Sequence, residues 1–500
     1  MDIMSLLIEG FKASLTSTNI IACTVGVIIG TLTGILPGLG SGGAMALLLP
    51  LSFGMDATTA LIMLAGIYYG SMYGGSTTSI LVNVPGESSS LMTCLDGYQM
   101  AKKGRAGAAL AIAAFGSFIA GTIGLILLTL FAPPLSNMAL SFGPPEYFAI
   151  ALMGLIALVF LSGSVVRGII MMILGIMVGT IGLDPLSGIN RFTMGSAELT
   201  KGIDFVLVAM GLFGLGEVIS MLCEENKAVS IQNVRFRELY PNREEVKRSI
   251  NPMFRGSILG FLCGLIPGPA AVVSTFLSYA VEKKVSKTPE EFGKGAVEGV
   301  AGPESANNAA SSAAMVPLLS LGLPFAPPIA ILLSGFLVHG ITPGPSLITE
   351  HPGVFWGLLA SMYIGNILLL IINLPFVGVF ASLLKTPKAY LMPLIVIISF
   401  TGALALNNSV FDLGILIVFG FIGYIMREVG YQPAPLAIGL ILGPIIEKSL
   451  TQSLILFDGN LLSFLMRPVS ATFLGLAIIV LIVGTYGNLR KYFLAKRTTN

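Results

Sequence analysis

EGVAGPESANNAASSAAMVPLLSLGLPFAPP, residues 298–328, decides how this chain is read. Most of it is small residues. Among them stand one carboxylate (Glu304), two adjacent amides (Asn307, Asn308) and the hydroxyls of Ser305, Ser311 and Ser312. Gly302–Pro303, Gly322 and Pro324 are expected to interrupt helices, because proline lacks a donor and clashes with the preceding turn while glycine turns cheaply. The flanking chain reads as apolar helix. Polar, broken helix at membrane depth is stable only when buried in protein or lining a wet cavity. The segment is therefore the leading candidate for a functional site.

Composition sets the class. Of 500 residues, 54% are hydrophobic and 10% charged, against about 25% charged in a soluble domain. Mean hydropathy is +0.89. Such a chain cannot cover a water-facing surface, so the expected fold is an all-α polytopic membrane protein. Sixty glycines fit close helix approach. A net charge of +2 gives no sign of nucleic-acid binding; the basic residues sit in loops, where they report topology. Cys23, Cys94, Cys223 and Cys263 show no metal or CxxC spacing, and His339 and His351 stand alone, so no metal centre or cofactor is expected. The start, MDIMSLLIEGFKASL, lacks a basic n-region and a cleavage site, and suits a short interfacial helix.

Apolar runs recur from residue 19 to residue 486. They amount to roughly a dozen spans plus shorter pieces. One long polar connection, 223–255, carries Lys227, Arg235, Arg237, Arg243, Lys247, Arg248 and Arg255, which makes it cytoplasmic. It divides one membrane domain into a first half, 1–222, and a second, 256–500.

The halves repeat each other. TGILPGLGSGG (33–43) corresponds to CGLIPGPAAVV (263–273), each with Pro-Gly inside an apolar run. Roughly forty residues later the first half has YYGSMYGGSTTSILVNVPGESSS (68–90), and the second has the opening stretch. Charge then orients them. The first connection, LSFGMDATT, has no basic residue, and Lys102, Lys103 and Arg105 follow the second break. In the second half Lys283, Lys284, Lys287 and Lys294 lie in the connection, and PFAPPIA after the break is uncharged. Opposite bias at equivalent places implies opposite orientation. Inverted-topology repeats place a transporter's substrate site at their interface. Residues 255–282 are too few for two full crossings at about 1.5 Å per residue. A re-entrant hairpin with its tip at Pro267-Gly268-Pro269 is favoured over one kinked span.

A Pro-Gly pair in an apolar run ends one half-helix and starts another. The freed N–H groups attract anions, and the freed carbonyls suit Na⁺ or a protonated group. Candidate substrate- and ion-binding residues are therefore Pro37, Gly38, Tyr73, Gly74, Gly75, Ser76, Thr77, Thr78, Asn83, Pro85 and Gly86 in the first half. In the second they are Pro267, Gly268, Glu304, Ser305, Asn307, Asn308, Ser311 and Pro324. A coupling Na⁺ would sit near Asn83, Asn307 and Asn308. For any single Ser or Thr, close packing of small faces is as good an account as ligand contact. Glu304 has three open roles: cation ligand, proton carrier, or cap of a half-helix beginning after Pro303. Glu146, Arg167, Glu217 and Asp412 fall near span ends, where snorkelling or loop placement suffices.

These motifs resemble the large membrane subunit of the tripartite tricarboxylate transporters, the TctA family. The carrying strings are YYGSMYGGSTTSILVNVPGE, DGYQMAKKGRAGAAL, KTPEEFGKGAVEGVAGPESANNAASSAAMVPLLSLGLP, APLAIGLILGPIIEKSL and MRPVSA. The resemblance implies a multi-pass permease of the bacterial inner membrane, not an enzyme. It implies import of citrate-like di- and tricarboxylates driven by Na⁺ or H⁺, by elevator-like alternating access. It also implies a small membrane subunit (TctB-like) and an extracytoplasmic solute-binding protein (TctC-like). The oligomeric state stays open, a homodimer included. Phe325 and Ala270 stand where the family tends to have glycine, and both crowd a site edge. A passive channel-like pore for small anions is the rival reading; it would require charged rings or a carbonyl filter.

Overall fold

The structure, a computed structural model, describes residues 3–36, 39–161, 164–184, 186–223, 240–266, 268–376, 378–379, 382 and 388–482. In chain order the first half gives α1 (Ile3–Ser14), α2 (Ser17–Ile35), α3 (Gly40–Leu48), α4 (Ala57–Val82), α5 (Leu91–Met100) and α6 (Ala106–Ala139). It continues with α7 (Pro144–Leu161), α8 (Val165–Gly179), α9 (Ala197–Thr200), α10 (Phe205–Ala209) and α11 (Gly216–Cys223). A π-helical turn, Met210–Leu215, joins the last two. A two-stranded antiparallel ribbon, β1 (Gly182–Leu183) with β2 (Asn190–Arg191), precedes α9. The second half gives α12 (Arg243–Gly264), α13 (Ala270–Val285), α14 (Glu298–Ala313), α15 (Met315–Leu321), α16 (Pro327–Val338), α17 (Leu347–Glu350) and α18 (Pro352–Asn373). It ends with α19 (Lys388–Asn407), α20 (Val410–Glu428), α21 (Ala434–Leu456), α22 (Ser463–Met466) and α23 (Pro468–Ile482).

Glycine spacing explains the central packing. Gly26, Gly30 and Gly34 lie one turn apart on α2. A Cβ at each would meet the carbonyl oxygens of Met63, Ile67 and Ser71 at 2.3, 2.3 and 2.2 Å. Gly256, Gly260 and Gly264 do the same on α12, against the carbonyls of Gly302, Ala306 and Ala310 at 2.3, 2.2 and 2.5 Å. Backbones this close need bare glycine faces. In both pairs the partner number rises with the glycine number, so α2 runs parallel to α4 and α12 parallel to α14. The two pairs run opposite ways: Ser76 of α4 meets Glu304 of α14, while the earlier Tyr68 meets the later Ser311.

The hairpin expected over 255–282 is present. Arg255 Nε donates to Glu282 Oε1 at 2.9 Å, clamping α12 to α13. From Arg255 to the end of α12 is about 14 Å of helix, half of a core about 30 Å thick. Pro37, Gly38 and Pro267 lie outside the described residues, as do Lys227, Arg235 and Arg237 of the long connection.

Both basic segments share one face. Lys103 Nζ donates to the Lys294 carbonyl at 2.6 Å, and Arg105 Nε to Glu245 Oε1 at 3.0 Å. The helices sort into two packed groups. α2–α6 pack with α12–α18, and α7–α11 pack with α19–α21. The two groups touch mainly through α3 and α16. Each half of the chain contributes to both groups.

Six described helices are long and apolar enough to cross a membrane, and six shorter ones are apolar. The described residues thus hold whole and part-length apolar helices together. α4, 26 residues long, escapes a hydropathy count because its hydroxyls and glycines dilute it. On α12 an outward row, Ile250, Phe254, Ile258 and Leu262, is 46–56% exposed, which suits lipid and not water.

Two expectations are corrected. Gly302–Pro303 does not interrupt α14, which runs unbroken through Pro303. Its first turns are held between α12 and α13, Gly256 admitting the Gly302 carbonyl and Ser278 and Glu282 flanking Gly302. Nor do Glu146, Glu217 and Asp412 snorkel. Glu146, 2% exposed, takes Arg467 Nε at 2.5 Å and Gly143 N at 2.8 Å. Glu217 pairs with Arg427 at 2.6 Å. Asp412 accepts from Asn407 Nδ2 at 2.9 Å. Arg467→Ala would leave the Glu146 carboxylate buried without its cation. It is expected to destabilise by roughly 2 kcal/mol, below the range for a fully buried pair because Arg467 is partly exposed. The double variant Glu146→Ala/Arg467→Ala should melt above the single one, which a thermal melt in detergent checks.

Candidate functional site

The site forms where the antiparallel pairs meet. α14 is buried along its length: Glu304, Ser305 and Asn307 are 0% exposed. Glu304 lies inside the helix, not at a cap. Ser76 Oγ of α4 donates to Glu304 Oε2 at 2.5 Å, and Thr93 Oγ1 of α5 to Oε1. Two helices from the first half thus supply one hydroxyl to each oxygen of a carboxylate from the second.

Asn308, one turn on, donates through Nδ2 to Ser117 Oγ of α6 at 2.7 Å and to the Glu304 carbonyl at 3.0 Å. Ser311 Oγ donates to the Asn307 carbonyl at 2.9 Å. Asn307 differs from both. Neither its side-chain nitrogen nor its side-chain oxygen has a protein partner, and Ser305 Oγ and Ser278 Oγ share that state. Buried polar atoms in folded proteins are almost always partnered. Asn307 is thus an exception to that rule, with both ends of its amide unpartnered within the protein at zero exposure.

On α4, Tyr73 Oη donates to Asn366 Oδ1 of α18 at 3.1 Å. Thr78 Oγ1 donates to the Ile35 carbonyl at 2.7 Å, closing an open carbonyl at the end of α2. Tyr73, Ser76 and Thr77 line a small cavity with Ser117 of α6 and Asn373 of α18. Its volume is ≈ 20 Å³, room for one water-sized guest. Gly74, Gly75 and Gly86 make close approaches: a Cβ at Gly74 would strike the Thr31 carbonyl at 2.3 Å, and one at Gly86 the Gly34 carbonyl at 2.3 Å. Asn83 ends α4 at φ 61 and is exposed, with Pro85 two residues on; its place is at the helix terminus and not beside Asn307. Gly268 takes φ 133 in the tip before α13. Pro324 is buried in the break between α15 and α16, after Gly322 at φ 71. Phe325, 8% exposed, packs with Leu321, Ala330, Ile438 and Leu442 at the seam between the helix groups.

Sequence reading passed over several groups. Glu87 accepts from the backbone N–H of Ser41, at the start of α3, and from Ser71 Oγ at 2.8 Å. The protein's own carboxylate therefore occupies the N-terminal end of α3. No side chain caps the start of α13. Thr93, Ser117, Asn366 and Asn373 were also passed over. Glu87 sits in PGESSS, where a carboxylate just past a break pointed to a helix end. The others are single polar residues in apolar helices and carry no local mark.

Two parallel helix pairs running opposite ways around buried amides, among helices long and apolar enough to cross a membrane, define a multi-pass membrane protein with a buried polar centre. The sequence profile of the tripartite tricarboxylate transporter TctA family matches residues 20–438. The chain belongs to that family, which is a family of transporters. It is 46% identical over 492 residues to an uncharacterized 52.8 kDa protein in the TAR-I ttuC' 3' region of Agrobacterium vitis, covering 98% of both chains. It is also 46% identical over 231 residues to a protein in the TAR-II ttuC' 3' region of the same organism, covering 46% of this chain and 96% of that one. No solved structure matches.

Proposed function

We propose that the chain is the permease subunit of a secondary transporter that imports organic di- or tricarboxylates such as citrate. In this reading a Na⁺ or H⁺ gradient across a bacterial inner membrane drives uptake. A TctC-like extracytoplasmic binding protein delivers the substrate, and a TctB-like small membrane subunit completes the assembly. The observation that carries it is Asn307, unpaired at both ends where two oppositely running helix pairs meet. The repeated Gly ladders and Pro-Gly breaks support inverted repeats, and the two helix groups, touching mainly through α3 and α16, support elevator-like movement of one against the other. With Glu87 at the start of α3, this reading puts the substrate carboxylate in the second repeat, at Asn307; Ser305 turns to the opposite side of α14, against Gly116 of α6. The enclosed site and one-water cavity favour a carrier over an open pore.

Permease reconstituted with both partners should accumulate labelled citrate only under an ion gradient. Asn307→Ala should cut the initial rate at least about tenfold, the loss of roughly one good polar contact, with an unchanged melting temperature. Uptake that ignores the gradient would return the pore reading; a wild-type rate in Asn307→Ala would remove the site.

A further inference from the structure

Glu304 is a carboxylate with no cation to answer it. It is 0% exposed, and its carboxylate oxygens are bonded to two neutral hydroxyls, Ser76 and Thr93. Among the described residues no ion pair reaches it. The titratable or charged groups around it include Asp96, one turn after Thr93 on α5, which lies against Gly299 of α14 and is held by Tyr279 and three backbone N–H groups. Tyr73 approaches from α4 and Cys94 from α5. Glu87 binds Ser71, five residues before Ser76 on α4. On the α12–α13 side, Glu282 lies against Gly302 and is clamped by Arg255. From α6 the nearby Ser117 is neutral. A full negative charge so placed is costly unless a cation joins it.

Asn307 lies three residues further along the same helix, one turn or about 5 Å away. An anion held there would face the Glu304 charge across a buried interior. Repulsion between unit charges at that range weakens binding on the order of a hundredfold. We propose that Glu304 is the coupling site of the transporter: it takes up one monovalent cation, a proton or sodium, and only then admits the anionic substrate at Asn307. This rests on the transport reading and adds an order to it. The cation comes first because it removes the charge that repels the substrate. Symport then follows from one helical turn of α14, with no long-range relay. Ser76, Thr93 and Glu304 all belong to one of the two helix groups, so the bound cation would travel with that group as it moves against the other.

The test uses purified permease in nanodiscs without substrate. One arm measures saturable binding of radioactive sodium. The other follows, by infrared difference spectroscopy across a pH series, the carbonyl stretch of a protonated carboxylic acid. Sodium binding without the titrating band assigns sodium; the band without sodium binding assigns the proton; both together mean that the two compete for one site. In each case Glu304→Gln should abolish the signal. Ser76→Ala, which keeps the carboxylate and removes one hydroxyl, should weaken sodium binding about tenfold or move the midpoint of the band by about one pH unit. Neither signal in the wild type, a signal that survives Glu304→Gln, or no change in Ser76→Ala would each overturn the assignment. Both arms are read without transported substrate, so a failure of citrate uptake leaves them interpretable, and their failure leaves the uptake result standing.

Discussion

Gly260→Ala is expected to prevent α12 from seating on α14 and to remove most folded protein. The added methyl would stand 2.2 Å from the Ala306 carbonyl oxygen and 2.7 Å from the Ala306 Cα. Both are backbone atoms of a buried helix and cannot swing aside. Overpacking by one methyl against movable side chains costs ~1–3 kcal/mol; against fixed backbone the cost lies above that range. Separation of the helices would also strip close contacts along Gly256 and Gly264, and α14 carries Glu304 and Asn307. Gly414→Ala provides the control. It lies on α20, is exposed, and a Cβ there meets nothing within 4 Å. The same substitution should be neutral or stabilising by up to ~1 kcal/mol, since alanine is the better helix former. Folded yield and melting temperature by fluorescence-detected size exclusion decide it. Two variants that melt alike would mean that α12 and α14 do not approach as described.

That prediction also marks how far the sequence could be read. The break at Gly322–Pro324 and the small polar helices were legible because Pro and Gly act locally on the backbone. The basic face was legible because loop charge obeys a simple topological bias, and Lys103 and Arg105 do meet the second half's basic-face segment. The hairpin over 255–282 followed from its length, with basic residues flanking both ends. The glycine ladders were in plain view, each ending three residues before its Pro-Gly: Gly34 before Pro37, Gly264 before Pro267. They strengthen the internal repeat, yet a glycine count gave only close packing, without saying which helix was approached. Pro303 misled because its local rule, that proline interrupts a helix, was overridden by the packing of α14 between α12 and α13. Glu146 and Glu217 misled for a different reason. Their partners, Arg467 and Arg427, are hundreds of residues away, and sequence position near a span end says nothing of such pairs.

Within the site, the division was partly legible. Glu304, Asn307 and Asn308 stood out as polar residues in an apolar setting. Their separate duties did not. Asn308 is satisfied by Ser117, Glu304 by two hydroxyls, and Asn307 by nothing in the protein. Only the packing of α6 and α4 around α14 distinguishes the three. Likewise the two breaks look equivalent in sequence, yet Glu87 fills the end of α3 and no side chain caps α13. The two helix starts thus differ, one meeting a carboxylate of the protein itself and the other meeting no capping side chain.

Asp96→Ala should uncouple the basic face from the site. Asp96 is 0% exposed and belongs to α5. Its Oδ1 accepts from the backbone N–H of Gly293, Gly295 and Ala296 at 2.8, 2.7 and 2.8 Å, and its Oδ2 from Tyr279 Oη at 2.8 Å. One side chain of the first half therefore fixes the loop that leads into α14 and the helix α13 beside it. Hydrogen bonds to a charged acceptor are each worth ~1.5–3 kcal/mol, and a buried donor left alone adds its desolvation cost. Gly293 is exposed and can turn to water, so the expected loss is on the order of 3–5 kcal/mol. Asp96→Asn should fall between. Its oxygen can still accept from the three N–H groups, while its amide donates to Tyr279 Oη, which reverses its role. The local readout is trypsin cleavage in the loop, where Lys287 and Lys294 are exposed. Cleavage should speed up in the order wild type, Asn, Ala, at temperatures below global melting, because the loop opens before the bundle does. Equal cleavage in all three would show that the Asp96 cradle does not hold the loop, and α14 would then owe its position to the glycine ladder alone.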